Sequence, residues 1–191
     1  IKVATGIGAG LVVDGRIYRG SRGVAGELGH LPIGSSGPLC VCGLRGCLGT
    51  IVGSQVLVER ARERLADYPK SILNPRKLTI ESIDDAALAG DPLALQLARE
   101  AAENLGIAVA GVLNLMNPGA VIIGGGIARL GERLLVPLRE TVLRRTFVSS
   151  VAASEIMSSA LGPRSIAIGA ATIVLEAALG DPRLFPTIGA R

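Results

Sequence analysis

The segment GELGHLPIGSSGPLCVCGLRGCLGT (Gly26–Thr50) holds the only histidine in the chain and all three of its cysteines. Nine residues separate His30 from Cys40, one separates Cys40 from Cys42, and four separate Cys42 from Cys47. Three thiolates and an imidazole form a Cys3His donor set, which suits a closed tetrahedral zinc site. Gly43 and Gly46 stand between the last two sulfurs and permit the reversal that returns Cys47 to Cys40 and Cys42. A disulfide or free thiols are the competing readings. A Cys40–Cys42 bridge closes a very small, strained ring, and any single bridge leaves one thiol over and His30 without a role. With four protein ligands no position is left for an activated water, so the metal is expected to hold the loop in shape rather than to perform chemistry.

The elements that position this loop follow from the patterning. Leu11–Val13 and Ile17–Tyr18 flank Asp14-Gly15, a hairpin signal. Thr5-Gly6-Ile7-Gly8-Ala9-Gly10 is a glycine-rich turn between the first two short strands. Residues 21–49 form a long irregular loop, which needs its own stabilisation or a function. A helix is predicted at about 51–66, with Val52, Val56, Ala61 and Leu65 on one side; a connector follows over 67–79 and a short helix over roughly 80–89. Asp91-Pro92 supplies a cap and first-turn pair for a long amphipathic helix that ends at Asn117-Pro118-Gly119. Its predicted buried stripe is Leu97, Ala101, Leu105, Ala108, Val112 and Leu115. AVIIGGG (120–126) reads as a buried strand running into a glycine turn, followed by one or two helices to about 145, a strand over 151–157 and an apolar helix over 164–179. Strands alternating with helices predict an α/β layer structure.

Composition narrows the rest. Hydrophobic residues make up 49% of the 191 and aromatics 2%, so the core must be built from Val, Ile, Leu and Ala. There are 26 glycines, about twice the usual ~7% share. The net charge of +4 comes from 20 basic and 16 acidic residues that are spread out, with no basic run interleaved with aromatics, which gives no argument for nucleic-acid binding by this segment. No apolar stretch reaches the ~18 residues that span a bilayer, and no membrane association is expected. The start IKVATG has neither a signal peptide's basic residues nor its apolar run, and reads as mid-strand in a fragment of a longer protein. Clustered cysteines in such a chain predict reduced thiols and a cytoplasmic setting.

Three segments together carry a resemblance. ATGIGAGLVVDGRIYRGSRGVAGELGH, then GPLCVCGLRGCL, then NLMNPGAVIIGGG are similar to the ROK family of bacterial sugar kinases and sugar-responsive transcriptional repressors, and the likeness runs over nearly the whole chain. The pairing of E-x-G-H with C-x-C-G-x-x-G-C-L is its specific part. The resemblance implies an actin-like, ribonuclease-H-like ATPase fold, with residues 1–191 as the C-terminal lobe. It implies that Glu27 and His30 hydrogen-bond sugar hydroxyls, with His30 using its other ring nitrogen as a metal ligand beside Cys40, Cys42 and Cys47. It likens Thr5, Gly6 and Gly8 to a second phosphate loop, whose backbone N–H groups would meet phosphate oxygens, and Gly124, Gly125 and Gly126 to an adenosine-side turn. Plain turns account for both sets of glycines as well. A homodimer is also implied.

The chain departs from the pattern in two ways. Where sugar-binding members carry G-C-L-E, this chain has Gly46-Cys47-Leu48-Gly49, so one sugar carboxylate is missing and Thr50 is no simple replacement. The Asp-rich phosphate loop and catalytic Asp of the kinases would lie upstream of Ile1, so no catalytic residue is assigned within this chain. The expected function is the sugar-effector-binding part of a transcriptional regulator, contacting DNA only through an N-terminal segment outside the chain. The alternative is the C-terminal half of an ATP-dependent hexose kinase, in which case ATP joins zinc as a cofactor. A third reading is a binding module that has lost its ligand.

Overall fold

The computed structural model describes residues 1–146 and 154–181, which fall into two compact units divided between Ser158 and Ser159. The first unit opens with β1 (Lys2–Val3) and β2 (Ile7–Gly8), paired antiparallel. The hairpin β3 (Leu11–Val13) and β4 (Arg16–Tyr18) follows. Asp14 and Gly15 have φ of 50° and 73° at its turn, which is the left-handed pair that such a two-residue loop requires.

After the irregular segment come α1 (Gly49–Val52) and α2 (Ser54–Arg64). The single helix predicted over 51–66 is therefore broken at Gly53, which sits in extended backbone with ψ of 147°. The break shifts the helical phase. Leu57 and Ala61 are buried in α2, while Val56 is only half-buried. Helix α3 (Ile80–Leu88) starts in a reciprocal capping box between Thr79 and Ser82.

Helix α4 (Pro92–Met116) is capped by Asp91, whose Oδ1 accepts from the Ala94 N–H at 2.9 Å while Oδ2 accepts from the Ile72 N–H at 2.6 Å. One carboxylate thus starts the helix and pins the preceding connector. Asn117, with φ of 43°, stops it. Leu97, Ala101, Leu105 and Ala108 are buried as predicted, Val112 is partly buried, and Leu115 is 83% exposed. Helix α5 (Glu132–Arg145) packs along α4. A Cβ at Gly106 would fall 2.8 Å from the Thr141 side chain, so glycine there sets how closely the two helices approach.

Between these helices β5 (Ala120–Ile123) pairs in parallel with β6 (Glu155–Ser158), which makes a β5–α5–β6 unit. Val121 and Ile123 are buried but Ile122 is exposed, so the strand predicted as buried is covered on one face only. The strand expected over 151–157 is observed at 155–158; residues 151–153 lie outside the described residues. β1 lies parallel to the end of β5, with the Val3 N–H donating to the Gly124 carbonyl (2.9 Å) and the Gly124 N–H to the Ile1 carbonyl (2.8 Å). The ladder thus runs β6–β5–β1–β2, with helices α4 and α5 supplying nearly half of the aliphatic core. The second unit contains α6 (Ser165–Gly180), close to the predicted 164–179. Among the described residues no helix is long and apolar enough to cross a membrane.

Candidate functional site

Local backbone geometry gathers the four rare residues. The segment that follows His30 pairs with the segment holding Cys47. The Ile33 N–H donates to the Gly46 carbonyl (3.0 Å), the Leu48 N–H donates to the Leu31 carbonyl (2.9 Å), and Pro32 bridges Cys47 antiparallel. A tight turn then carries Cys40 and Cys42 over the pair, closed by Cys40 N–H to Leu44 O (2.7 Å) and Gly43 N–H to Cys40 O (2.9 Å). Gly43 and Gly46 have φ of 87° and 69°, so the reversal predicted there is made in backbone that disfavours other residues.

The result is one cluster. The ligand atoms of His30, Cys40, Cys42 and Cys47 all lie within 4.8 Å of one another. The Cys40 sulfur is 3.3 Å from His30 Nδ1, and the Cys42 and Cys47 sulfurs are 3.7 Å apart. All three thiols are free, so no disulfide competes for them. Tetrahedral zinc, with Zn–S bonds of about 2.3 Å and Zn–N of about 2.0 Å, sets its sulfurs about 3.8 Å apart and sulfur and nitrogen about 3.5 Å apart. The 3.3 Å and 3.7 Å separations match these within a few tenths of an ångström, and with all four ligand atoms within 4.8 Å of one another the donor set fits such an ion.

The thiols of the cluster differ in their electrostatics. Burial pushes the Cys47 thiol up to about 12, with further contributions from its hydrogen bonds to Cys42 and Cys40. Cys42 shifts the other way, chiefly because of a backbone hydrogen bond at Leu44. Thiolates are the ligating form, and an adjacent dication is what ionises a thiol buried like Cys47.

His30 faces two ways. Nδ1 points to the sulfurs, while Nε2 lies 4.0 Å from the Glu27 carboxylate. With Nδ1 held as a ligand, the proton resides on Nε2, where it can donate to Glu27 or to a ligand hydroxyl. The two side chains are 42% and 67% exposed, so a small polar ligand can reach both. Gly29, between them in the turn Leu28–His30, packs on β2: a Cβ there would lie 2.4 Å from the Ile7 carbonyl oxygen. Gly49 in turn packs on Gly29, where its Cβ would meet the carbonyl oxygen at 3.2 Å. The Thr50 hydroxyl donates to the Cys47 carbonyl at 2.8 Å and is occupied within the loop. The pattern had pointed to Glu27 and His30 and had marked Gly49 as a missing carboxylate; it had not shown the packing of Gly29 on β2 or of Gly49 on Gly29, contacts that join distant stretches. The high glycine count was the available signal.

The two glycine turns also come together. Thr5 and Gly6 follow β1, and Gly124–Gly126 follow β5, so both lie at the carboxyl ends of adjacent parallel strands, where ligands of open α/β sheets commonly bind. Gly124 spends its N–H and its carbonyl on β1, and a Cβ at Gly125 would lie 2.1 Å from the Val3 carbonyl oxygen. Sheet packing therefore accounts for these two glycines, while Gly126, like Gly6 and Gly8, has open space around it.

The β5–α5–β6 unit with β1 alongside and a glycine turn at the strand ends belongs to the α/β, actin-like ATPase class of folds. Within that class, the ROK family model matches residues 1–177, and this chain belongs to the ROK family. It is 38% identical over 181 residues to a glucokinase from Thermotoga maritima, covering 92% of this chain and 57% of the enzyme. It is 32% identical over 186 residues to a xylose repressor from Caldicellulosiruptor bescii, covering 95% of this chain and 47% of the repressor. A ROK family glucokinase from Streptomyces griseus, solved with glucose and AMPPNP, superposes with a TM-score of 0.81 at 30% identity, over 90% of this chain and 58% of that one. The chain thus spans about half the length of the relatives it matches, and these include both kinases and repressors.

Proposed function

We propose that residues 1–191 are the C-terminal lobe of a sugar-responsive ROK transcriptional regulator and carry its effector pocket. His30, Cys40, Cys42 and Cys47 hold a structural zinc, which fixes the imidazole so that Nε2 and the Glu27 carboxylate present one donor and one acceptor to neighbouring sugar hydroxyls. The observation that carries the sugar site is the double orientation of His30, with Nδ1 at 3.3 Å from the Cys40 sulfur and Nε2 at 4.0 Å from Glu27. A pocket of this kind rejects ligands that lack the matching hydroxyl.

Gly49 supports regulator over kinase. Where the family's sugar-binding members carry a carboxylate this chain has none, and the hydroxyl of Thr50 is already engaged. A binding site that only biases a conformational equilibrium needs differential affinity. A kinase must also orient the attacking hydroxyl. DNA contact would come from a segment outside this chain, in a cytoplasmic homodimer.

The second reading is an ATP-dependent hexose kinase. It is favoured by the 38% identity to the T. maritima glucokinase and by the two glycine turns (Thr5, Gly6 and Gly8; Gly124, Gly125 and Gly126) at neighbouring strand ends. The test is to assay the full-length protein for ATP-dependent phosphorylation of glucose and xylose, and for operator-fragment binding with and without those sugars. Sugar-dependent release from DNA without turnover supports the regulator; ordinary hexose turnover overturns it in favour of the kinase.

A further inference from the structure

The four donors are not equally accessible. Cys40 and Cys47 are buried, at 8% and 0% exposure, while Cys42 is exposed beside Val41, which is 99% exposed at the tip of the turn. The Cys42 and Cys47 sulfurs are 3.7 Å apart, and Cys40 is turned to His30 Nδ1 at 3.3 Å. We propose that Cys42 is an oxidation site for small hydroperoxides and that its oxidation ends in a Cys42–Cys47 disulfide, which dismantles the metal site. The metal consequence rests on the zinc reading above; the thiol chemistry does not.

The reaction needs only a peroxide as co-reactant. The Cys42 thiolate attacks one peroxide oxygen; the S–O bond forms, the O–O bond breaks and hydroxide leaves. The Cys47 sulfur then attacks the Cys42 sulfur; the S–S bond forms, the S–O bond breaks, and the Cys47 proton leaves with the departing hydroxide as water. The two sulfurs give up two electrons and the peroxide is reduced to one hydroxide and one water. The sulfurs must close from 3.7 Å to a bonded distance of about 2.05 Å. The four residues between them begin and end in glycine, at Gly43 and Gly46, which can absorb that movement. Afterwards only Cys40 and His30 remain as donors, too few for a closed structural site. The tie that orients His30 is then lost.

Peptide mapping tests this. The purified protein, reconstituted with one equivalent of zinc, is treated with hydrogen peroxide in the presence of a chromogenic chelator, quenched with iodoacetamide and digested with trypsin. Cleavage after Arg22, Arg45 and Arg60 leaves Cys40 and Cys42 on peptide 23–45 and Cys47 on peptide 46–60. The expected product links the two peptides with the loss of two hydrogens, carries the alkyl group on Cys40 alone, and forms in step with zinc release. A Cys40–Cys42 or Cys40–Cys47 linkage, three alkylated thiols, or a linked product that keeps its zinc overturns the proposal. Zinc content before peroxide is read separately: protein that takes up no zinc yet forms the Cys42–Cys47 link fails the metal reading and keeps the oxidation site. In Cys47→Ser, Cys42 is expected to stop at the sulfenic acid and to be trapped by dimedone. Absence of that adduct from folded Cys47→Ser counts against the proposal, and if the variant does not fold, the wild-type map decides alone.

Discussion

Gly29→Ala isolates the contact that seats the Glu27–His30 turn on the sheet. The φ of Gly29 lies outside the left-handed region, so alanine is conformationally allowed and the need for glycine is purely spatial. The new Cβ would stand 2.4 Å from the Ile7 carbonyl oxygen, and contacts under 3.0 Å are essentially never seen. The turn or β2 must therefore move by about 0.6 Å or more, backbone against backbone. Overpacking of this kind costs about 1–3 kcal/mol, which for a chain of this size is about 2–12 °C in Tm. The shift also carries His30 off its sulfurs by more than the ~0.2 Å tolerance of a metal bond, so zinc affinity should fall alongside stability. Differential scanning calorimetry and competitive zinc titration measure the two effects. Gly126→Ala is the control, because open space surrounds that position and its φ is ordinary; it should leave both unchanged. A Gly29→Ala protein that melts within a degree of wild type and keeps its zinc affinity would refute the reasoning.

Two further predictions concern charge. Asp84 on α3 is 3% exposed, and burial raises its carboxyl to about 6, with the positive charge of Arg129 opposing the shift. The folded protein thus holds the Asp84 proton more tightly than the unfolded chain. Its contribution to stability is fully present below about pH 4 and is lost as pH rises through 6, by about 3 kcal/mol. Asp84→Asn should therefore gain about that much on wild type between pH 4 and pH 7.5 in urea melts; a pH-independent difference would remove the buried charge from the account. In Gly49→Glu the added Cβ meets the Gly29 carbonyl oxygen at 3.2 Å and needs only a few tenths of an ångström of room. If position 49 faces the sugar, the new carboxylate should tighten glucose binding about tenfold by calorimetry, the gain of one charge-assisted hydrogen bond. Unchanged affinity would place the sugar elsewhere.

Local signals carried much of the structure. Asp14-Gly15, Asp91-Pro92 and Asn117 act through backbone conformation and capping within a few residues, and each feature stands where its sequence predicts. The metal cluster was legible for the same reason: its residue types are rare and its spacing is short. The break at Gly53 was not, because an isolated glycine in a helical pattern is normally tolerated. Its cause lies partly at long range, in the Ser54 N–H donating to the Ala4 carbonyl at 3.1 Å. The exposed sides of Leu115 and Ile122 escaped for the converse reason, since apolar periodicity does not say whether a face is covered. The contacts of Gly29 with Ile7 and of Gly49 with Gly29 join stretches about 20 residues apart, and no local pattern encodes them.

The central claim is that His30 through Nδ1 and Cys40, Cys42 and Cys47 through sulfur hold one zinc ion that orients the sugar-facing imidazole. X-ray absorption at the zinc edge, on protein purified under reducing conditions, tests it directly. The account predicts one equivalent of zinc, with three sulfur neighbours at about 2.3 Å and one nitrogen at about 2.0 Å. Protein without zinc, or a zinc shell of nitrogen and oxygen lacking sulfur, would contradict it.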